Sequence, residues 1–206
     1  MTVFDLLFLA CCVGSVRTLA RVAYQLVRGR SGVALRLIVR WTILATCYVG
    51  LVILVSLAQP QRTVPVGSEQ CWDDWCITVD SIARADSIGH ERAIGTWVVV
   101  TARVSSHMRV RRQSEPDAYA YLLDAAGNRV EQSERGQAAL QRAGLAGPLL
   151  GAFVEPDGAF VSRLAFDVPR TAQGLGFVKE RRARFPGIVI IGDNTSLLHK
   201  RTIVPL

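Results

Sequence analysis

Histidine is scarce in this chain, three residues in 206, and no two of the three are near neighbours in sequence. His90, His107 and His199 fall in separate turns or strands, without an H-x-x-x-H pair or a local Cys/His run. A zinc site needs three or four converging ligands, so no zinc site is expected. The nucleophile elbow G-x-S-x-G is missing too, and with it the usual serine-hydrolase arrangement. Ser106 and His107 are adjacent, which on a strand sends their side chains to opposite faces. No P-loop or G-x-G-x-x-G opens a helix, and Gly174-Leu175-Gly176 sits in a turn. These absences lead to the expectation of a non-enzymatic protein with no catalytic set, no cofactor and no metal.

Acidic residues are almost absent from the first 58 positions, where Asp5 faces six arginines and the segment carries +5. The remaining 148 residues hold eighteen Lys and Arg against sixteen Asp and Glu, only +2. Most of the overall +7 therefore flanks apolar sequence, where arginine orients helices, and nucleic acid is not an expected partner.

From Trp41 to Ala58 aspartate, glutamate, lysine, arginine and histidine are missing altogether, over 18 residues. As a helix this run covers about 27 Å, close to the thickness of a bilayer's hydrocarbon core. Ahead of it, Val3–Val16 is apolar except for Asp5, and Arg17 and Arg21 follow at helical spacing. One reading of that first segment is a cleaved signal peptide. No basic residue precedes the apolar stretch and no small-x-small cleavage site follows it, and the faint lipoprotein box Leu9-Ala10-Cys11 suffers from the same missing basic region. A retained transmembrane helix with snorkelling arginines is the leading alternative.

Two such helices, about 2–27 and 33–58, make a transmembrane hairpin over residues 1–58. Arg28, Arg30, Arg36 and Arg40 set its topology, placing the connection in the cytoplasm and the N-terminus and C-terminal region outside. The expected location is the cell membrane, with two spans. A Pro/polar stalk is expected at 59–68 and an extracytoplasmic domain at 69–206, long enough to bury its own core.

Cys11, Cys12 and Cys47 lie in the apolar segments, where a thiol behaves as a small hydrophobe. Cys71 and Cys76 flank Trp72-Asp73-Asp74-Trp75 in the exported part and read as a short disulfide loop. A redox-active dithiol is the alternative, against which stand the C-x4-C spacing and the lack of a βαβ pattern.

Beyond the stalk the texture is that of short strands and turns. Cys76–Ala83 alternates, and Thr96–Ser105 is apolar nearly throughout, as a strand covered on both faces would be. Ala118–Asp124 and Asn128–Gln132 flank Ala125-Ala126-Gly127 as a hairpin. Glu134–Ala143 is one short helical insert stopped by Gly144, and after the turn Pro156-Asp157-Gly158 a strand carries Phe160, Ser162, Leu164, Phe166 and Val168 on one face. Gly187–Ile191 and Leu198–Val204 suggest a last hairpin. Seven or eight strands at this spacing predict a mainly-β, antiparallel sandwich.

The stretches Leu122-Leu123-Asp124-Ala125-Ala126-Gly127-Asn128 and Ala165-Phe166-Asp167-Val168-Pro169 carry a resemblance. In this order, after a Cys-bearing first strand and a long apolar strand, the chain resembles uncharacterised immunoglobulin-like β-sandwich domains tethered to bacterial cell surfaces. The resemblance spans roughly residues 66–178 and ends where Lys179–Phe185 departs from the pattern. It implies a binding or structural module and transfers no active site.

Five local features are candidates for contact. Asp73-Asp74 and Asp193-Asn194 offer oxygens to calcium, or are solvated turn residues. Trp72 and Trp75 either sit at the membrane interface or plug the core of the sandwich. Arg109-Arg111-Arg112 and Lys179-Arg181-Arg182-Arg184 either meet anionic headgroups or an acidic partner, or are solvated ends. The expected function is a membrane-anchored envelope protein presenting a binding sandwich to another envelope protein or a cell-surface component. The alternatives are an accessory or sensory subunit that contacts a larger membrane complex through its hairpin, with Arg17, Arg21, Arg36 and Arg40 facing partner carboxylates, and an extracytoplasmic hydrolase or metal-dependent enzyme.

Overall fold

The computed structural model describes residues 3–182, 185–191, 193 and 195–206, and the chain divides into two units. One contains Met1–Pro60 and Ala183–Lys200; the other contains Gln61–Arg182 and Arg201–Leu206.

In the first unit, helix α1 (Val3–Val27) and helix α2 (Ser31–Ala58) are joined by a tight turn through Gly29, whose positive φ of 69° suits a residue without a Cβ. A side-chain hydrogen bond links the pair, and a second anchors its acceptor within α1. The Trp41 indole N–H donates to Ser15 Oγ at 3.0 Å, and Ser15 Oγ donates to the Cys11 carbonyl at 2.8 Å. Both helices are long and apolar enough to cross a membrane. Their large side chains point outward along the whole length, including Leu6, Leu9, Val13 and Val16 on α1 and Leu44, Leu51 and Leu54 on α2.

The hairpin expected from Gly187–Ile191 and Leu198–Val204 does not form. Gly187–Val189 is a single 3₁₀ turn, and only Ile203–Pro205 is strand. The reason lies in competing partners. Tyr48 Oη of α2 donates to the Val189 carbonyl at 2.7 Å, Ser56 and Ser196 hydroxyls pair at 3.2 Å, and Phe8 meets Phe185 edge to face at 5.9 Å. The described residues between 185 and 200 thereby group with the helices, so the expected domain 69–206 is not one continuous unit.

The second unit is an antiparallel β-sandwich of two four-stranded sheets. The first has the order β1 (Glu69–Trp72), β2 (Trp75–Ile88), β3 (Glu91–Ser106), β6 (Ala159–Val168). The second has the order β5 (Arg129–Glu131), β4 (Ala118–Leu123), β7 (Gly176–Arg181), β8 (Ile203–Pro205). The two-residue turn Gly89-His90 closes the long β2–β3 hairpin, with Gly89 at φ 58° in the position where such turns favour glycine. The expected stalk is partly absorbed: Thr63 pairs with Ile203, Val64 N–H donates to the Ile203 carbonyl at 3.0 Å, and Val64 packs on the core.

Strand β3 is covered on both faces, as its unbroken apolar run predicts. Val98, Val100, Ala102 and Val104 face the inter-sheet core with Ile77, Leu122, Leu164, Phe166 and Phe177. Trp97 and Val99 face helix α3 (Glu134–Arg142) through Ala139 and Leu140. Ser133 caps α3 by accepting the Gly136 N–H at 3.2 Å. Gly136 sits in that helix because a Cβ there would lie 2.7 Å from the Trp97 ring and 2.8 Å from Ala165 Cβ.

Candidate functional site

Chemistry-bearing side chains gather at one end of the sandwich, around the β1–β2 hairpin. Asp73 and Asp74 form its two-residue turn, Asp73 in the left-handed region at φ 53°, which aspartate tolerates better than most residues. Strand alternation then sorts the flanking residues. Trp72 and Trp75 oppose one another and turn inward, while Cys71 and Cys76 oppose one another on the other face.

The inward pair stacks at 5.3 Å between ring centroids, 12° from parallel, and is buried at 7% and 1% exposure. The tryptophans are thus a core plug rather than a membrane-interface pair, and neither ring is exposed. Lys179, on β7 of the facing sheet, lays its ammonium 4.2 Å from the Trp72 centroid and donates to the Gln70 carbonyl at 2.6 Å. The Arg181 guanidinium stands 5.7 Å from the same Trp72 ring. Burial, aided by Arg181, pushes the Lys179 amine down to about 7, because a charge at this depth is poorly solvated. Lys179 and Arg181 therefore belong to the aromatic plug and do not form a free basic cluster; Arg182 is exposed and Arg184 lies outside the described residues.

Across the hairpin, the cysteines form the expected Cys71–Cys76 disulfide. Beside it, the His107 and Glu69 side chains meet at 3.0 Å between Nε2 and Oε2, and Ser105 Oγ donates to Glu69 Oε1 at 2.9 Å. These two hydrogen bonds, His107 first, hold the Glu69 carboxyl below the usual carboxylate range. One oxygen of Glu69, one ring nitrogen of His107 and the two sulfurs all lie within 4.8 Å of one another. Local sequence spacing does not reveal this group, since His107 is 38 residues from Glu69 and arrives through the β2–β3 register that sets Ser105 against Cys76.

The other candidates belong to different parts of the chain. His90 is exposed at the β2–β3 turn. His199 lies in the helical unit, its imidazole held by burial below the ordinary range. Asp193 Oδ1 accepts from both the backbone N–H and the hydroxyl of Thr195 at 2.7 Å, which occupies it as a turn residue; Asn194 lies outside the described residues. Arg28 and Arg30 are exposed in the inter-helix turn, and Arg36 and Arg40 are exposed on the first turns of α2.

Arg109 and Arg111 are exposed in the loop after β3 and flank Val110, itself 88% exposed. Gln113 and Val154 exchange backbone hydrogen bonds at 2.9 and 2.7 Å, which brings this loop beside residues 150–155. There the Arg112 guanidinium sits 4.6 Å over the ring of Phe153, which is 59% exposed. This loop thus carries three exposed arginines and an exposed Val110, and one of the arginines covers an exposed phenylalanine.

The chain is thus a β-sandwich preceded by two apolar helices, a class compatible with a membrane-anchored or secreted module. No protein-family model and no curated protein matches it. It is similar to an uncharacterised β-sandwich protein from Clostridium difficile, at 9% identity and a TM-score of 0.44, over 72% of this chain and 95% of that one. It is also similar to a secreted protein from Mycobacterium tuberculosis, at 12% identity and a TM-score of 0.46, over 72% of this chain and 100% of that one. A conserved hypothetical protein from Bacillus anthracis matches 56% of this chain with 88% of its own, at 13% identity and a TM-score of 0.45.

Proposed function

We propose that this protein is an integral envelope protein whose two helices span the cell membrane and whose sandwich, on the extracytoplasmic side, binds an acidic partner protein without catalysing a reaction. The supporting observation is how apolar surface is distributed. The helices carry exposed leucines and valines along their length, while the sandwich buries most of its large strand side chains and exposes Val110 and Phe153 in the loops that carry Arg109, Arg111 and Arg112. A helix exterior dominated by apolar side chains, with arginines at intervals, suits lipid and its headgroups, and exposed apolar side chains beside arginines suit a partner with an acidic rim. Arginines around the inter-helix turn favour a cytoplasmic turn, and a disulfide suits an oxidising exterior. The resemblance of the 122–128 and 165–169 motifs to cell-surface immunoglobulin-like domains fits the same reading.

The test uses the full-length protein in its own membranes. A photo-crosslinking residue at position 153 is expected to form a defined adduct that disappears when Arg109→Glu and Arg111→Glu are combined. The same probe at position 94, where Ile94 is 82% exposed, serves as the control. Equal adducts at both positions, unaffected by charge reversal, overturn the binding reading. Accessibility of residue 94 from the cytoplasmic side overturns the topology.

A further inference from the structure

We infer that the Glu69, Cys71, Cys76 and His107 cluster is a redox-gated zinc site, closed as the disulfide and metal-binding as the dithiol. The argument starts from strand geometry. Glu69 lies two residues before Cys71 and so shares its face of β1; Cys76 opposes Cys71; Ser105 opposes Cys76; and His107, two residues past Ser105, returns to that side. The sheet therefore delivers a carboxylate, an imidazole and two sulfurs to one spot, all four ligand atoms within 4.8 Å of one another. Zinc bonds of about 2.0–2.3 Å in a tetrahedron put ligand atoms about 3.3–3.8 Å apart, close to the 4.8 Å within which all four lie here.

The outer contacts are those that orient such ligands. Ser105 Oγ holds Glu69 Oε1 at 2.9 Å, and the backbone N–H of His107 donates to the Asp74 carbonyl at 2.8 Å. The Cys76 side is buried, whereas Glu69, Cys71 and His107 are exposed, so the spot is walled on one side and open to ions on the other.

Both sulfurs are spent on each other in the disulfide, which separates the two states. A dithiol reductant supplies two electrons and two protons: the Cys71–Cys76 bond breaks, two thiols form, and the reductant closes its own disulfide. Zinc ion then displaces the two thiol protons and takes two thiolates, the neutral His107 nitrogen and one Glu69 oxygen. Reoxidation of the sulfurs by a disulfide oxidant reverses the sequence and expels the ion.

The test uses the full chain in detergent micelles, titrated with Zn²⁺ by calorimetry and with Co²⁺ by absorption, before and after treatment with a dithiol. The reduced protein is expected to bind one ion per chain and to show a thiolate-to-cobalt charge-transfer band, with neither seen in the oxidised protein. Paired Cys71→Ser and Cys76→Ser should abolish the band. His107→Ala and Glu69→Gln alter exposed side chains outside the core, so they retain the fold, and each should weaken binding by at least about tenfold. A reduced, folded protein without the band overturns the inference. So does zinc binding of equal strength in the oxidised state, or affinity unchanged by both exposed-residue variants.

Discussion

The helical unit and the sandwich unit use the same aliphatic residues to opposite ends. In α2, Leu44 and Leu54 are 70% and 66% exposed, while in β3 and β6 Val100 and Leu164 are 0% and 2% exposed. The difference is one of period and solvent. A helix satisfies its own backbone polar groups and can leave its side chains outside in an apolar medium. A strand must pair with neighbours, which stacks its side chains into a face that another sheet or helix covers. Apolar composition therefore says little about burial until the element type is known.

The largest expected effect lies in the sandwich. Phe166→Ala removes a fully buried ring from between the sheets and should cost about 3–5 kcal/mol, read by denaturant unfolding of the sandwich. A cost near zero would break the comparison on the sandwich side. Leu51→Asp probes the helical side, where Leu51 is 44% exposed. If its surroundings are lipid the substitution should cost about 3 kcal/mol in a membrane-insertion assay, whereas an exposed site in water would give nearly nothing.

Gly136→Ala tests the second layer of the sandwich unit. Alanine normally favours a helix over glycine by about 1 kcal/mol, but here its Cβ meets Trp97 and Ala165, so destabilisation of about 1–3 kcal/mol is expected. A stabilised variant would mean that α3 is not clamped against β3.

Lys179 gives a pH signature. Its amine titrates near 7 in the folded protein against 10.5 for the ordinary group, so between those values the unfolded chain holds more protons. Stability should therefore rise as pH increases from about 7 towards 10, by no more than about 1.4 kcal/mol per pH unit. Higher still, Tyr119 and Tyr121, both raised chiefly by burial, work in the opposite sense. Lys179→Met should flatten the rise, and denaturation midpoints across this range check it. The smallest effect is that of Glu69→Gln on the oxidised fold, within about 0.5 kcal/mol, because the Glu69–His107 pair is exposed and well solvated.

Much of the architecture was readable from local pattern. The two helices, the Ala125–Gly127 hairpin, the short helix after Ser133 and the Cys71–Cys76 bond all depend on residues close in sequence. The 187–204 segment misled because its short apolar runs fit strands as well as they fit a surface against α2. Only Ile203–Pro205 became a strand, pairing with β7. At the candidate site, the cysteines were visible and the contribution of His107 was not.

The sequence by itself determined the apolar helices, the charge around their turn, the strand alternation and the disulfide, since each follows from spacing within a dozen residues. Tertiary structure alone decided that Trp72 and Trp75 are roofed by Lys179 and that His107 stands beside Glu69 and the sulfurs. The physical reason is register: alternation tells which residues share a face of one strand, but only the pairing of β2 with β3, and of one sheet over the other, tells which faces meet.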